Sequence, residues 1–309
     1  MGRVLEEGDN CWRVARAGRA AFIVDGESYF RAVREAVRSA RRSIFSVGWD
    51  IHSELELIRN GGSDDELPTA LGPLLDAVAH ERPELDIYIL SWDFAMIYAM
   101  EREFFPQYKL RWKSHDRVRF CLDGEHPLGA SQHQKIVVVD DCLGFCGGLD
   151  LSQWRWDTCE HRVEDERRKD PKGKSYPPFH DVQMVVDGEA AVALGELVRE
   201  RWNLASSIES VDVDLERELA HDPWPASITP ELEQVDVGIA RMLPDYGSRD
   251  EVREVERLEN GWKAHEEEQR RAWLRLTPAE RLAWLEEAKR FAEAAKRARK
   301  TKATATSWD

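Results

Sequence analysis

Residues 131–150 read Ser-Gln-His-Gln-Lys-Ile-Val-Val-Val-Asp-Asp-Cys-Leu-Gly-Phe-Cys-Gly-Gly-Leu-Asp, and His133, Lys135 and Asp140 within them have the types and spacing of phosphate chemistry. With 133–140 as a strand, side chains alternate between two faces. His133, Lys135, Val137 and Val139 then share one face, and Ile136, Val138 and Asp140 the other. An ammonium two residues from an imidazole can neutralise a non-bridging phosphate oxygen while the neutral ring faces phosphorus. Asp140, across the strand, is expected to support the site rather than attack. Gly147 and Gly148 close the next apolar run. Lacking side chains, they are expected to let backbone amides approach a bound anion. Asp150 and Ser152 follow, where polar groups could orient a substrate. A His-x-Lys alone is common on strand surfaces. The Gly-Gly-x-Asp at this distance, between two strands, makes the set specific.

The elements that position these residues alternate in type. Short apolar runs at Ala21–Val24, Ser43–Trp49, Leu85–Trp92, Arg117–Cys121, Lys135–Asp140, Leu143–Cys146 and Asp181–Val186 predict strands. Helical spacing predicts helices over Ser28–Arg42, Leu67–Arg82 and Ala190–Trp202. Interleaved strands and helices imply an α/β layered domain. Glu160–Pro178 is a long charged loop, and residues 206–234 are acidic, with Pro223, Pro225 and Pro230, as in a linker. Val235–Leu243 makes one more strand. Beyond about Asp250 the chain is dominated by Glu, Arg, Lys and Ala, which favour helix. Thr277-Pro278-Ala279-Glu280 is a helix start, followed by an apolar stripe of Leu282, Leu285, Ala288 and Ala292.

The formal net charge is −15. Residues 289–302 hold seven Lys/Arg and one Glu, so the remainder carries −21. Such a body repels phosphate polymers at long range, which disfavours extended nucleic-acid binding but not one phosphodiester held locally. No run approaches the 18 or so apolar residues of a membrane span, and the first ten residues lack the basic and apolar parts of a secretory signal. The five cysteines, with Cys121, Cys142 and Cys146 in apolar stretches, read as reduced, buried thiols of a cytoplasmic protein. No second Cys or His pair at zinc-site spacing accompanies Cys142 and Cys146, so no metal is expected there.

His133, Lys135, Asp140 and the following Gly-Gly-x-Asp resemble the H-x-K-x-x-x-x-D motif of the phospholipase D superfamily. The likeness extends to Arg155-Trp156-Asp157-Thr158, to Pro178-Phe179-His180-Asp181-Val182-Gln183, to Asn10-Cys11-Trp12-Arg13 and to the Ser43–Trp49 strand. The resemblance implies a mixed β-sheet flanked by helices of that family's type, here with a C-terminal helical tail. It implies that His133 attacks phosphorus or acts as acid–base partner, that Lys135 clamps phosphate, that Asp140 supports, and that Asp150 and Ser152 line the site. No cofactor is implied, because Lys and His supply the positive charge.

The family uses two such motifs, and none of the other eight histidines here begins a second H-x-K. The organisation expected is therefore a motif-bearing domain over 1–205, an acidic linker with the first strand of a truncated second half over 206–249, and a charged helical tail over 250–309. Three functions are weighed. The first is a phosphodiesterase acting on phospholipid head groups, by hydrolysis or transphosphatidylation, with its site completed by a homodimer or a separate second-half protein. The second is an inactive half-enzyme that binds phosphodiesters or a protein partner. The third is a nuclease, which the acidic body disfavours. The expected location is cytoplasmic, with room for peripheral membrane contact.

Overall fold

The computed structural model describes residues 4–59, 65–92, 115–124, 132–206, 211 and 221–241. The chain divides into two compact units, residues 1–244 and 245–309, and the described residues all belong to the first. The helical tail expected over 250–309 lies outside the described residues.

Eight strands form one sheet. They are β1 (Arg13–Val24), β2 (Ser43–Gly48), β3 (Asp86–Trp92), β4 (Val118–Asp123), β5 (Ile136–Val139), β6 (Leu143–Gly147), β7 (Val182–Asp187) and β8 (Leu232–Ile239). Their order is β4-β3-β2-β5-β6-β7-β1-β8. The β2–β3 and β3–β4 pairs are parallel, and the other five are antiparallel. Helices α1 (Asp25–Ser39) and α2 (Leu71–Glu81) cover one face, packing Phe30, Val33, Leu74 and Val78 against Ile44, Ile87, Val137 and Val139. Helix α3 (Gly188–Ala205) covers the other, with Leu194, Val198 and Trp202 against Phe45, Tyr88, Ile136 and Val138. The central strand β5 is thus apolar on both faces, which is why it reads as an unbroken Ile-Val-Val-Val run rather than an alternation. Each fully buried Val or Ile there contributes roughly 1.5–3 kcal/mol.

Three expectations change. The strand expected from 133 to 140 is confined to Ile136–Val139, because Asp140 and Asp141 take positive φ values of 52° and 55° and turn the chain into β6. The strand expected at Val235–Leu243 is β8, at residues 232–239, and it pairs with β1. Cys146 is exposed and Cys121 and Cys142 are half-buried, so these thiols are not core side chains. Among the described residues no helix is long and apolar enough to cross a membrane.

Candidate active site

The register brings seven chain crossings to one end of the sheet. Val47 pairs with Ile136, Ile136 with Cys146, Gly147 with Gln183, and Val182 with Val24. The exits of β1, β2 and β6 and the approaches to β5 and β7 therefore meet there, as do the ends of β3 and β4. Ligands of open α/β sheets bind outside such strand ends. His133, Lys135, Gly147, Gly148, Asp150 and Ser152 all lie at this end.

His133 and Lys135 are unequally buried. They sit in the extended segment before β5, with the imidazole exposed and the ammonium buried. The His133 ring stands 6.2 Å from the Trp49 ring, edge-on. Lys135 Nζ lies 3.3 Å from Asp150 Oδ2 and donates to the His133 carbonyl at 3.2 Å. Burial lowers the Lys135 pKa, and Asp150 acts in the opposite sense. The His133 pKa is also lowered, first by burial and then by the Lys135 charge, which favours the neutral ring that a nucleophile requires.

Asp150 braces the site from within. Its Oδ1 accepts the Trp49 amide at 2.8 Å, and its other oxygen faces Lys135. Ser152 is fully buried and donates a short hydrogen bond to Asp50 Oδ2. The two glycines act differently from the sequence expectation. The Gly147 amide donates to the Lys135 carbonyl at 3.3 Å, and the Gly148 amide to the Val182 carbonyl at 3.1 Å. A Cβ on Gly147 would stand 2.4 Å from the Val182 carbonyl oxygen, so this glycine permits close packing on β7.

Asp140 is not part of this constellation. It lies at the far end of β5, about 16 Å along the strand from Lys135 at 3.3 Å per residue. Its buried carboxylate accepts the amides of Arg41, Arg42 and Ser43 at 2.7–2.8 Å, and His221 Nε2 stands 3.1 Å away. It fixes the start of β2 against the end of β5.

A neighbouring cluster was not read from the sequence. Asp25, the first residue of α1 just after β1, has a positive φ of 66° and a buried carboxylate. His180 Nδ1 is 2.7 Å from its Oδ1, and His161 Nε2 is 3.2 Å from its Oδ2. His161 Nδ1 contacts Asp157, which is held in turn by Arg168 and by the Phe179 amide. Among the described residues, Asp25, His161 and His180 are the group whose ligand atoms could hold a cation, all within 4.8 Å of one another. A carboxylate behind a ligating histidine suits such a role. The charged loop that supplies His161 is organised around Arg168, whose buried guanidinium also bonds the carbonyls of Arg162, Val163 and Tyr176. Only the separate motifs holding His180 and Asp157 were visible in sequence.

A family model described as phospholipase D matches residues 36–259. Phospholipase D C of Dictyostelium discoideum is 31% identical over 214 residues, covering 59% of this chain and 12% of its own length. Phospholipase D zeta 2 of Arabidopsis thaliana is 28% identical over 215 residues, covering 60% of this chain and 20% of its own. Among solved structures, Nuc, a phospholipase D family member from Salmonella typhimurium, is similar at 16% identity and a TM-score of 0.38, covering 60% of this chain and 97% of that one. The chain thus spans a fifth or less of the two curated relatives named here.

Proposed function

Because this chain belongs to the phospholipase D family, we propose that it is a phosphodiesterase of that type, with His133 as nucleophile and Lys135 as phosphate clamp. One observation carries the reading: an exposed imidazole held toward its neutral form, beside a buried ammonium, at the convergence of strand ends. An imidazole nitrogen of His133 attacks phosphorus, the bond to the leaving oxygen breaks, and that oxygen takes a proton from a second imidazole. Water or an alcohol then attacks the phosphohistidine. The P–N bond breaks, the incoming oxygen gives up its proton to the second imidazole, and His133 is restored. The substrate class suggested by the relatives' names is a phospholipid, met at a membrane surface, with head-group hydrolysis or transfer as outcomes.

These 309 residues contain one H-x-K, and the second imidazole is supplied from outside them, for example by a second copy of the chain or by a separate second-half protein. General acid catalysis contributes typically 10²–10⁴-fold, so an unmated chain would turn over very slowly. With one H-x-K in these residues, a second reading is a half-enzyme that holds phosphodiesters without cleaving them. Solution mass and hydrolysis of bis(4-nitrophenyl) phosphate in EDTA separate the two. A dimer with EDTA-resistant turnover, lost in His133→Ala, supports the enzyme. A monomer that binds but does not hydrolyse supports the half-enzyme. The reaction as written routes no step through an ion at Asp25, His161 and His180.

A further inference from the structure

We propose that the Arg155 guanidinium grips the phosphate of the substrate alongside Lys135, whose charge is partly offset by its pairing with Asp150. This inference rests on the phosphodiesterase reading and names a further binding residue for the same site.

The backbone around Arg155 is fixed from three sides. Trp154 takes a φ of 64°, a left-handed conformation rare for a bulky residue and a kind of strain that concentrates at functional sites. Gly26, at the start of α1, packs directly on the strained segment: a Cβ there would stand 2.2 Å from the Arg155 carbonyl oxygen and 2.7 Å from Trp156 Cα. The Glu27 amide then bonds the Asp157 carbonyl at 2.9 Å.

The side chain is placed without being neutralised. Its guanidinium lies 4.9 Å from the centre of the Phe179 ring, and no carboxylate pairs with it among the described residues. Two arginines of the following loop differ, Arg167 being paired with Asp165 and Arg168 with Asp157. A ring face orients a cation and leaves its N–H groups free to bind an anion, and a planar guanidinium suits two phosphate oxygens at once.

Charge balance gives this arrangement its consequence. Lys135, Asp150, Arg155 and Asp181 are among the charges that act on His133, and the last three also act on Lys135. Removing Arg155 takes one positive charge from these surroundings and makes them less favourable to a phosphodiester monoanion.

The test is calorimetric titration of the full chain with inorganic phosphate at low salt, comparing wild type with Arg155→Gln, Arg155→Lys and Lys135→Gln. Arg155→Gln is expected to weaken binding roughly 10- to 100-fold, the range for a charge-assisted hydrogen bond. Arg155→Lys, which keeps the charge but loses the planar fork, is expected to retain only part of the affinity. The His133 pKa, read by NMR, is expected to rise in Arg155→Gln as the neighbouring positive charge is removed. If Arg155→Gln does not fold, Arg155→Lys decides: reduced affinity supports the inference and wild-type affinity overturns the guanidinium grip. Wild-type affinity in folded Arg155→Gln, with loss in Lys135→Gln, overturns it too and leaves the phosphodiesterase reading standing. A wild-type chain that neither binds phosphate nor hydrolyses a phosphodiester overturns both.

Discussion

The Lys135 ammonium lies 3.3 Å from the Asp150 carboxylate, and both side chains are almost fully buried. Removing one partner of a buried pair leaves the other uncompensated, at a cost of roughly 3–5 kcal/mol. Asp150→Ala is therefore expected to destabilise the domain by about that amount in urea unfolding, and also to release the Trp49 amide. Adding Lys135→Met should recover part of the loss. Additive effects of the two substitutions would show that the pair is not coupled.

Asp140→Ala should behave differently although it belongs to the same motif. It strands three backbone donors at the β2 approach, and buried unsatisfied groups cost about 1–3 kcal/mol each. A loss of roughly 3 kcal/mol or more in unfolding free energy is expected. Phosphate affinity of the folded protein should be unchanged, which calorimetry below the unfolding transition would check.

The pH profile follows from His133. Burial and the Lys135 charge both lower its pKa, so the imidazole loses its proton below the ordinary value of 6.5. Activity that requires the neutral ring should persist to that lower pH and fall only as His133 protonates. The acidic limb of kcat/KM is thus expected below 6.5, and a limb at or above that value would contradict the assigned role.

Gly147→Ala should disturb the β6–β7 rung. The new methyl would meet the Val182 carbonyl oxygen at 2.4 Å and Gln183 Cα at 2.7 Å, both backbone atoms that cannot swing aside. Overpacking of this kind costs typically 1–3 kcal/mol, measurable by thermal or urea melts. Unchanged stability would mean that the strands can separate freely at this rung.

The sequence made the central strands legible because β2, β3, β5 and β6 are short apolar runs between turn residues. Strand β1 was seen only at Ala21–Val24. Its first half carries Arg13, Arg16 and Arg19, whose charges pair with Glu196, Asp236, Asp187 and Asp222 from distant parts of the chain. The place of β8 was hidden for a related reason. Leu232–Ile239 pairs with residues more than 200 positions earlier, and no local pattern encodes a register that long. Within the motif, spacing identified His133 and Lys135 together but not their unequal burial, which depends on Asp150 and the β6 exit. The Asp25–His161–His180 cluster escaped notice because its members are scattered along the chain and meet only where β1, the charged loop and the β7 approach converge.

The most direct test is to quench the full chain during reaction with bis(4-nitrophenyl) phosphate and map any covalent adduct by peptide mass. An acid-labile phosphoryl group on the peptide containing His133, absent from His133→Ala, is the expected result. Adduct on another residue, or turnover that survives in His133→Ala, would contradict His133 as the nucleophile.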